Sequence, residues 1–179
     1  TKKANDTLTP KGWIDFNKNG TKDPFEDSTV EIESRIDDLL SKMTVNEKTG
    51  QLVTLYGYPR ILKDTLPTDD WKNAIWIDGL GNIDEHANGN RDLSGSWPPS
   101  LHAQLINDVQ KWFIEETRLG IPVDFSNEGI RGACFTGATM FPAQIGVGST
   151  WNKQLVYKIG EITARESQIV GYTNIYSPI

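Results

Sequence analysis

The sequence predicts an α/β fold with a parallel sheet, in the form of the N-terminal half of a (β/α)8 TIM-type barrel. Amphipathic helical segments alternate with short apolar runs, and this alternation requires helical crossovers between parallel strands. Polar and glycine-rich loops follow the apolar runs, as in barrels that carry functional residues at one end. A complete barrel needs about 250 residues. The chain has 179 residues, so it has material for about the first half of a barrel.

Residues 1–32 are predicted to form an N-terminal arm, and residues 33–179 the incomplete barrel. The arm contains a stretch, Asp15–Glu26, typical of a twelve-residue EF-hand calcium loop, with Gly20 at the sharp turn. The predicted ligands are Asp15, Asn17, Asn19, Thr21 (through its carbonyl), Asp23 and Glu26. Three acids among them indicate a structural calcium of modest affinity that staples the arm to the next segment. The alternative is a solvated loop closed by its own Asn and Asp hydrogen bonds.

Two helices are predicted after the arm. Residues 33–43 place Ile36, Leu39, Leu40 and Met43 on one helical face. Thr44 and Glu47 then form a capping box that begins a second helix. The run 51–56 either continues this helix or becomes a short strand, because periodicity does not decide so short a segment.

The middle of the chain predicts a helix capped by Thr68 and then a short buried strand at 81–83. Asp84, Glu85 and His86 follow this strand. They form either the edge of a site or a polar turn, and a turn is the commoner structure after a short strand. Residues 87–99 are rich in Gly, Ser, Asn and Pro and predict a long loop.

The second half is predicted to be organised around the apolar run 121–125, which a long amphipathic helix, 101–118, precedes. Glu128 and Arg131 follow this strand, flanked by Gly129 and Gly132. An acid beside a bidentate donor suits a polyhydroxyl compound, whereas a surface ion pair is the alternative. A loop at 133–150, a helix capped by Asn152 that ends near Val170, and a strand within 172–179 complete the prediction.

Composition excludes several classes of function. The net charge of −6 and the isoelectric point near 4.9 exclude nucleic acid as the main partner. No stretch approaches the roughly 18 apolar residues of a membrane span. Cys134 is the only cysteine, which excludes a disulfide framework and a cysteine-based zinc site. We interpret Cys134 as a small buried hydrophobe and not as a nucleophile.

Several motifs in order resemble the N-terminal part of glycoside hydrolase family 3, which contains β-glucosidases, β-xylosidases and related exo-acting sugar hydrolases. The matching segments are RIDDLLSKMTVNEKTGQL (35–52), RLGIPVDFSNEGIRG (118–132), FPAQIGVGSTWN (141–152), GEITARE (160–166) and GYTNIYSPI (171–179). The calcium-type loop resembles an arm of many secreted bacterial members, which implies a periplasmic or extracellular location.

The resemblance implies retaining hydrolysis of terminal β-linked sugars by two carboxyl groups about 5 Å apart. In this family both groups are expected beyond Ile179, so residues 1–179 alone would be inactive and would need the C-terminal remainder. Glu128 matches the acidic position that holds hydroxyls of the terminal sugar, where aspartate is usual. Arg131 stands where many members carry histidine, and Asp84 is a further substrate-binding candidate. The alternative from another class is a calcium-dependent carbohydrate- or protein-binding module without catalysis.

Overall fold

A computed structural model of the chain describes residues 12–56, 69, 72, 77–85 and 98–178. The described helices are α1 (Ile32–Lys42), α2 (Val45–Gly50), α3 (Pro99–Glu116), α4 (Gln144–Gly148) and α5 (Lys153–Val170), and a 3-10 turn covers Pro24–Glu26. The described strands are β1 (Thr54–Tyr56), β2 (Asn82–Asp84), β3 (Asp124–Asn127) and β4 (Asn174–Ile175). Most of the helix predicted after Thr68, His86 and the loop 87–97 lie outside the described residues.

The four strands form one parallel sheet in the order β1-β2-β3-β4. Leu55, Ile83 and Phe125 are aligned across the first three strands. This confirms the predicted α/β class with a parallel sheet. Because all strands run the same way, the residues that follow them meet at one edge of the sheet.

The core lies between the sheet and α3. The predicted apolar stripe of α3 is buried at Leu105, Val109, Trp112 and Phe113. Val109, Trp112 and Phe113 pack with Ile83, Phe125, Val170 and Tyr172 in one hydrophobic cluster. Burial of this stripe fixes α3 across the middle strands, which positions the loops at their ends. In the described part of the chain, no helix combines the length and apolar character needed to cross a membrane.

The residues predicted to cap the ends of helices do so in the structure. Glu47 N–H donates to Thr44 Oγ1 at 3.2 Å, and Thr44 N–H donates to Glu47 Oε2 at 2.8 Å, which completes the capping box. Asn152 Oδ1 accepts from Leu155 N–H at 3.1 Å at the start of α5. Gly171, with φ 105°, ends this helix in the left-handed conformation that glycine adopts without strain.

Two predictions about the elements require correction. The central strand begins at Asp124 and not at Ile121, since Pro122 has no N–H and Gln110 occupies both backbone groups of Val123. The predicted loop 133–150 contains helix α4. The apolar face of α1 is partly exposed: Ile36 and Leu40 are each 43% exposed, because within the described residues this helix packs mainly on the 3-10 turn.

Candidate functional site

A group of polar side chains lies at the carboxyl edge of the sheet. Asp84 is the last residue of β2, and Ser126 is its aligned neighbour on β3. The Ser126 hydroxyl lies 2.8 Å from Asp84 Oδ1 and 3.0 Å from the Tyr176 hydroxyl. Asn82 Nδ2 donates to the same Tyr176 hydroxyl at 2.6 Å. These contacts join β2, β3 and the residue after β4 into one polar network on one face of the sheet.

Glu85 continues this edge and is also buried. Its backbone is left-handed, with φ 43°, while its N–H still donates to Ser126 O at 2.8 Å. Its carboxylate accepts from the Tyr56 hydroxyl at 3.0 Å. Asp84 and Glu85 are only 5% and 4% exposed, so they do not form a solvent-exposed turn, and their role at the edge of a site stays a prediction. The reason is that Tyr56 and Ser126, from the neighbouring strands, hold Glu85 against the sheet.

Glu128 lies in the loop after β3 and is half-buried. Burial raises the pKa of Glu128, and the charges of Glu85 and Asp84 raise it further. Burial likewise raises the pKa of Asp84 against the lowering effect of its hydrogen bond from Ser126. The structure therefore brings two of the predicted substrate-binding residues, Asp84 and Glu128, into one electrostatic group. Carboxylates in such a group accept hydrogen bonds from hydroxyls strongly.

Arg131 is not part of this acidic group. Its side chain is exposed, and no ion pair found in the described part of the chain joins it to Glu128. Its carbonyl accepts from Phe141 N–H at 2.8 Å, which ties the loop to the segment before α4. Gly132, at φ 99°, leaves no room for a side chain, because a Cβ there would lie 2.2 Å from Thr139 O.

Asn127 shapes the loop that carries Glu128 and was missed by the sequence analysis. The residue is 0% exposed, and its Oδ1 accepts from Gly129 N–H at 3.1 Å and Cys134 N–H at 2.9 Å. An Asn at a strand end with a glycine two positions later was the available signal, because Asn side chains close turns on the backbone two residues later.

Cys134 is exposed, which corrects its interpretation as a buried hydrophobe. Its backbone is tied to Asn127, so the residue stays at the rim of the site. Several effects together raise the pKa of the Cys134 thiol to about 12. Desolvation of the sulfur is the largest, and the charges of Glu85, Glu128 and Asp84 and a hydrogen bond with Glu85 act in the same direction. The thiol is therefore influenced by the same three acids, Asp84, Glu85 and Glu128, and remains protonated at neutral pH.

The calcium-type loop is closed by hydrogen bonds among its predicted ligands. Asp15 accepts from Asn19 N–H at 3.1 Å and Gly20 N–H at 2.8 Å. Asn17 and Asn19 donate from Nδ2 to Asp23 Oδ2 at 2.6 and 2.7 Å. The Glu26 carboxylate accepts from Phe16 N–H at 2.8 Å and Asp23 N–H at 3.0 Å. Across the described ranges, no three His, Cys, Asp or Glu side chains are grouped to bind a metal, so calcium stays a prediction.

The same loop is attached to the rest of the molecule at both ends. Lys18 donates to Thr117 O at 2.6 Å, just after α3. Phe25 N–H donates to Asp38 Oδ2 at 3.2 Å, and Arg35 Nη2 donates to Phe25 O at 3.2 Å. The arm is therefore attached to α1 and to the connection between α3 and β3 by these hydrogen bonds, and the role of calcium in this attachment stays a prediction.

Comparison with known proteins places these features in a family. Residues 44–179 match the model of the glycosyl hydrolase family 3 N terminal domain. A putative β-xylosidase from Formosa agariphila is 30% identical over 160 residues, which cover 86% of this chain and 20% of that protein. A probable β-glucosidase C from Aspergillus oryzae is 27% identical over 177 residues, covering 90% of this chain and 26% of that protein.

A periplasmic β-glucosidase/β-xylosidase from Dickeya chrysanthemi is 28% identical over 192 residues, covering 96% of this chain and 27% of that protein. The crystal structure of a mutant exo-1,3/1,4-β-glucanase, ExoP, from a Pseudoalteromonas species has a similar fold, with a TM-score of 0.63 at 21% identity. That similarity covers 93% of this chain and 25% of the other. The chain thus spans between 20% and 27% of the length of these relatives.

Proposed function

The chain belongs to glycosyl hydrolase family 3, and from that premise we propose that it forms the N-terminal half of a (β/α)8 barrel in a retaining, exo-acting β-glycosidase. The substrate is a carbohydrate with a terminal β-linked sugar, as in β-glucosides or β-xylosides. Glycosidases are named among its relatives. The sheet order β1-β2-β3-β4 is consistent with the first four strands of such a barrel.

The observation that carries this proposal is the acidic group at the carboxyl edge of the sheet. Glu128 is half-buried beside the buried Asp84 and Glu85. Sugar hydroxyls donate to carboxylates, and the surrounding desolvation strengthens these bonds relative to water. In the proposed enzyme, Glu128 and Asp84 hold hydroxyls of the terminal sugar and orient its ring. Arg131, on the exposed side of the same loop, contacts the substrate from the rim.

The chemical step needs two carboxyl groups about 5 Å apart, one as nucleophile and one as acid and base. We assign neither role to a residue of this chain, because both are expected in the continuation after Ile179. Residues 1–179 then bind and orient the sugar, exclude water from one side of it, and do not hydrolyse it alone. We use "the longer polypeptide" for residues 1–179 joined to that continuation.

We further propose that Asp15–Glu26 binds one structural calcium ion. The loop offers carboxylate and amide oxygens, the ligands that calcium prefers. Burial opposes ionisation of Asp23, but hydrogen bonds from Asn17, Asn19 and Lys42 lower its pKa below the ordinary value, so the group is charged. A half-turn of the two amides about their Cβ–Cγ bonds would direct oxygen toward Asp23 in place of nitrogen. Bound calcium would neutralise the acids and hold the staple closed.

A location in the periplasm or outside the cell is proposed as well. A modest-affinity calcium loop needs a calcium-rich compartment, and the relative from Dickeya chrysanthemi is named as periplasmic. The alternative, a calcium-dependent binding module without catalysis, draws on the same loop. Membership of a hydrolase family favours the enzyme, because a lone calcium loop carries no information about activity.

The decisive experiment compares the longer polypeptide with residues 1–179 on aryl β-glucosides and aryl β-xylosides. We expect turnover by the longer polypeptide, release of the β-anomer first in NMR spectra, and no turnover by residues 1–179. Sugar binding by the longer polypeptide without hydrolysis of any β-glycoside would favour the binding module instead.

A further inference from the structure

Four polar side chains share the face of the sheet that α3 does not cover. They belong to Asn82, Asp84, Ser126 and Tyr176. Side chains alternate between the two faces of a strand, and the intervening residues Ile83 and Phe125 pack with α3 in the core. In the proposed barrel, the polar face lines the interior below Asp84.

The Ser126 hydroxyl is the centre of this group. It is 0% exposed, and it lies 2.8 Å from Asp84 Oδ1, 3.0 Å from the Tyr176 hydroxyl and 3.0 Å from Asn82 Nδ2. A hydroxyl has one proton to donate and two lone pairs that accept. An ionised carboxylate only accepts, so Ser126 donates its proton to Asp84. Ser126 therefore accepts from both Asn82 and Tyr176.

With these directions, every proton of the group has an acceptor. The two N–H bonds of Asn82 Nδ2 are directed to Ser126 and to the Tyr176 hydroxyl, the latter at 2.6 Å. Tyr176 in turn donates to Ser126, and Ser126 donates to Asp84. Hydrogen bonds in such a chain polarise one another, so the donors of Asn82 and Tyr176 strengthen the last bond to the carboxylate.

The chain of hydrogen bonds matches the ionised form of Asp84. Protonation at Oδ1 would add a third donor to Ser126 and turn the proton of Ser126 toward Asn82 Oδ1, at 3.1 Å. Burial raises the pKa of Asp84, and the hydrogen bond from Ser126 opposes this effect. The group therefore favours a charged acceptor at a buried position, which is what a sugar hydroxyl binds most strongly.

We propose that Tyr176 and Asn82 are positioning residues of the substrate site, which act through Ser126 to hold the Asp84 carboxylate in the orientation that accepts from a hydroxyl of the terminal sugar. The inference rests on the proposed function, because it takes Asp84 as a substrate-binding group. Since Ser126 fixes Oδ1, the second carboxylate oxygen keeps one direction, and the sugar meets an acceptor that is already oriented.

The first test removes one hydroxyl from the longer polypeptide. Tyr176→Phe keeps the ring but loses the donor to Ser126, and we expect kcat/KM for an aryl β-glycoside to fall roughly 3- to 10-fold, as for one weakened hydrogen bond. Asn82→Leu removes two donors at similar volume and should lower kcat/KM at least as far. Tyr157→Phe is the matched control, because Tyr157 is 76% exposed on α5, away from this group, and kcat/KM should not change.

The second test distinguishes positioning of Asp84 from a merely structural role, by thermal melts at pH 7 and pH 4. Bonds that favour the ionised carboxylate contribute above its pKa and are lost as pH falls through it. We therefore expect the difference in melting temperature between the unaltered protein and Tyr176→Phe to shrink toward pH 4. In an Asp84→Asn background, the difference should be the same at both pH values.

Other titratable groups also face Asp84. Glu85 follows it in the chain, Glu128 and Cys134 come from the loop after β3, and Tyr56 is aligned with it on β1. Tyr176→Phe leaves all of them in place, so the Asp84→Asn background isolates the contribution of Asp84 to the pH dependence.

Two results would overturn the proposal. One is a kcat/KM for Tyr176→Phe that equals that of Tyr157→Phe, and the other is a melting difference that is the same at pH 7 and pH 4. An equal fall in kcat/KM when Tyr176→Phe is added to Asp84→Asn would place Tyr176 on the sugar itself and also overturn the positioning role. Melting is read without substrate, so absence of turnover by the unaltered longer polypeptide would remove the proposed function separately.

Discussion

Asn127 and Cys134 are joined by two hydrogen bonds that close the loop after β3. Cys134 N–H donates to Asn127 Oδ1 at 2.9 Å, and Asn127 Nδ2 donates to the Cys134 carbonyl at 3.3 Å. Asn127 is completely buried, so its side-chain amide is shielded from water and depends on these backbone partners. Glu128 lies between these two anchored residues, and its position therefore depends on the Asn127 amide.

Replacing this amide should affect both stability and substrate binding. In Asn127→Ala, two backbone N–H groups lose their acceptor, and we expect a loss of about 1–3 kcal/mol in the free energy of unfolding. We also expect a higher KM for an aryl β-glycoside, because Glu128 is no longer held. Gln110→Ala, which removes two similar bonds to Val123, is the control for stability alone. Equal KM values in the two variants would contradict the positioning role of Asn127.

Glu128 itself should contribute directly to sugar binding. Glu128→Gln keeps the size of the side chain but removes the charge, and one charge-assisted hydrogen bond is worth about 1.5–3 kcal/mol. We expect kcat/KM of the longer polypeptide to fall roughly 10- to 100-fold. Arg131→Met should reduce it less, because Arg131 is exposed. Glu161→Gln, on the outside of α5, should leave turnover unchanged, and an equal loss there would count against the site.

The buried acid Asp84 makes the stability of the fold depend on pH. Burial raises its pKa above the ordinary value of 3.8, with a contribution from the charge of Glu85. A raised carboxyl pKa means that the folded state favours the protonated form. The associated stability is complete below the ordinary pKa and is lost as pH rises through the raised one. Asp84→Asn, which imitates the protonated form, should therefore be more stable than the unaltered protein at neutral pH.

The expected gain is a few degrees in melting temperature at pH 7, and it should disappear toward pH 4. Thermal melts of both proteins across this range measure it. The Asn amide still accepts from the Ser126 hydroxyl through its oxygen, so the polar network is kept. A variant that is less stable than the unaltered protein at every pH would show that the charge of Asp84 is compensated.

The fold was predictable where its causes are local in sequence. The capping box at Thr44, the cap at Asn152 and the turn at Gly171 each depend on residues a few positions apart, and all three are present. The start of β3 was not predictable in this way, because Gln110 occupies the Val123 backbone from 13 residues upstream. Burial of Glu85 likewise depends on Tyr56, which the chain brings near only when β1 and β2 pair.

The ion pair between Arg118 and Glu47 should stabilise the junction of α1, α2 and α3. Arg118 bonds both carboxylate oxygens of the buried Glu47 and also the Lys42 carbonyl. Breaking a fully buried pair costs about 3–5 kcal/mol, but Arg118 is half exposed, and solvent screening reduces the expected cost of Arg118→Met to about 1–2 kcal/mol. Chemical denaturation of the two proteins would measure it.

This contribution should also depend on pH, in the opposite direction to that of Asp84. Burial alone would raise the pKa of Glu47, yet the hydrogen bonds from Arg118 and Thr44 lower it below its ordinary value of 4.5. Stability linked to a lowered carboxyl pKa is present above the ordinary pKa and is lost as pH falls through the lowered one. The difference between the unaltered protein and Arg118→Met should thus shrink below pH 4.5. A constant difference down to pH 3 would contradict this account.

Calcium should stabilise the protein through the Asp15–Glu26 loop. A ligand that binds only the folded state adds about 2.7 kcal/mol at a hundredfold excess over its Kd, so we expect calcium to raise the melting temperature and a chelator to lower it. The loop holds the end of α3 through Lys18 and contacts α1 through Phe25, so the gain should extend to global unfolding. Glu26→Gln should abolish the calcium-dependent increment, because it removes the bidentate charged ligand.

The matched control for this loop is Asp27→Asn. Asp27 lies directly after the loop and pairs with Lys22 at 2.8 Å, but it occupies none of the ligand positions. Asp27→Asn should keep the full rise in melting temperature on addition of calcium, even if its melting temperature without calcium changes. Since each comparison is made within one protein, with and without calcium, the hydrogen bonds that Glu26→Gln also loses do not affect the reading. An equal increment in both variants would assign calcium binding to another part of the molecule, and no increment in the unaltered protein would leave the loop closed by its own hydrogen bonds.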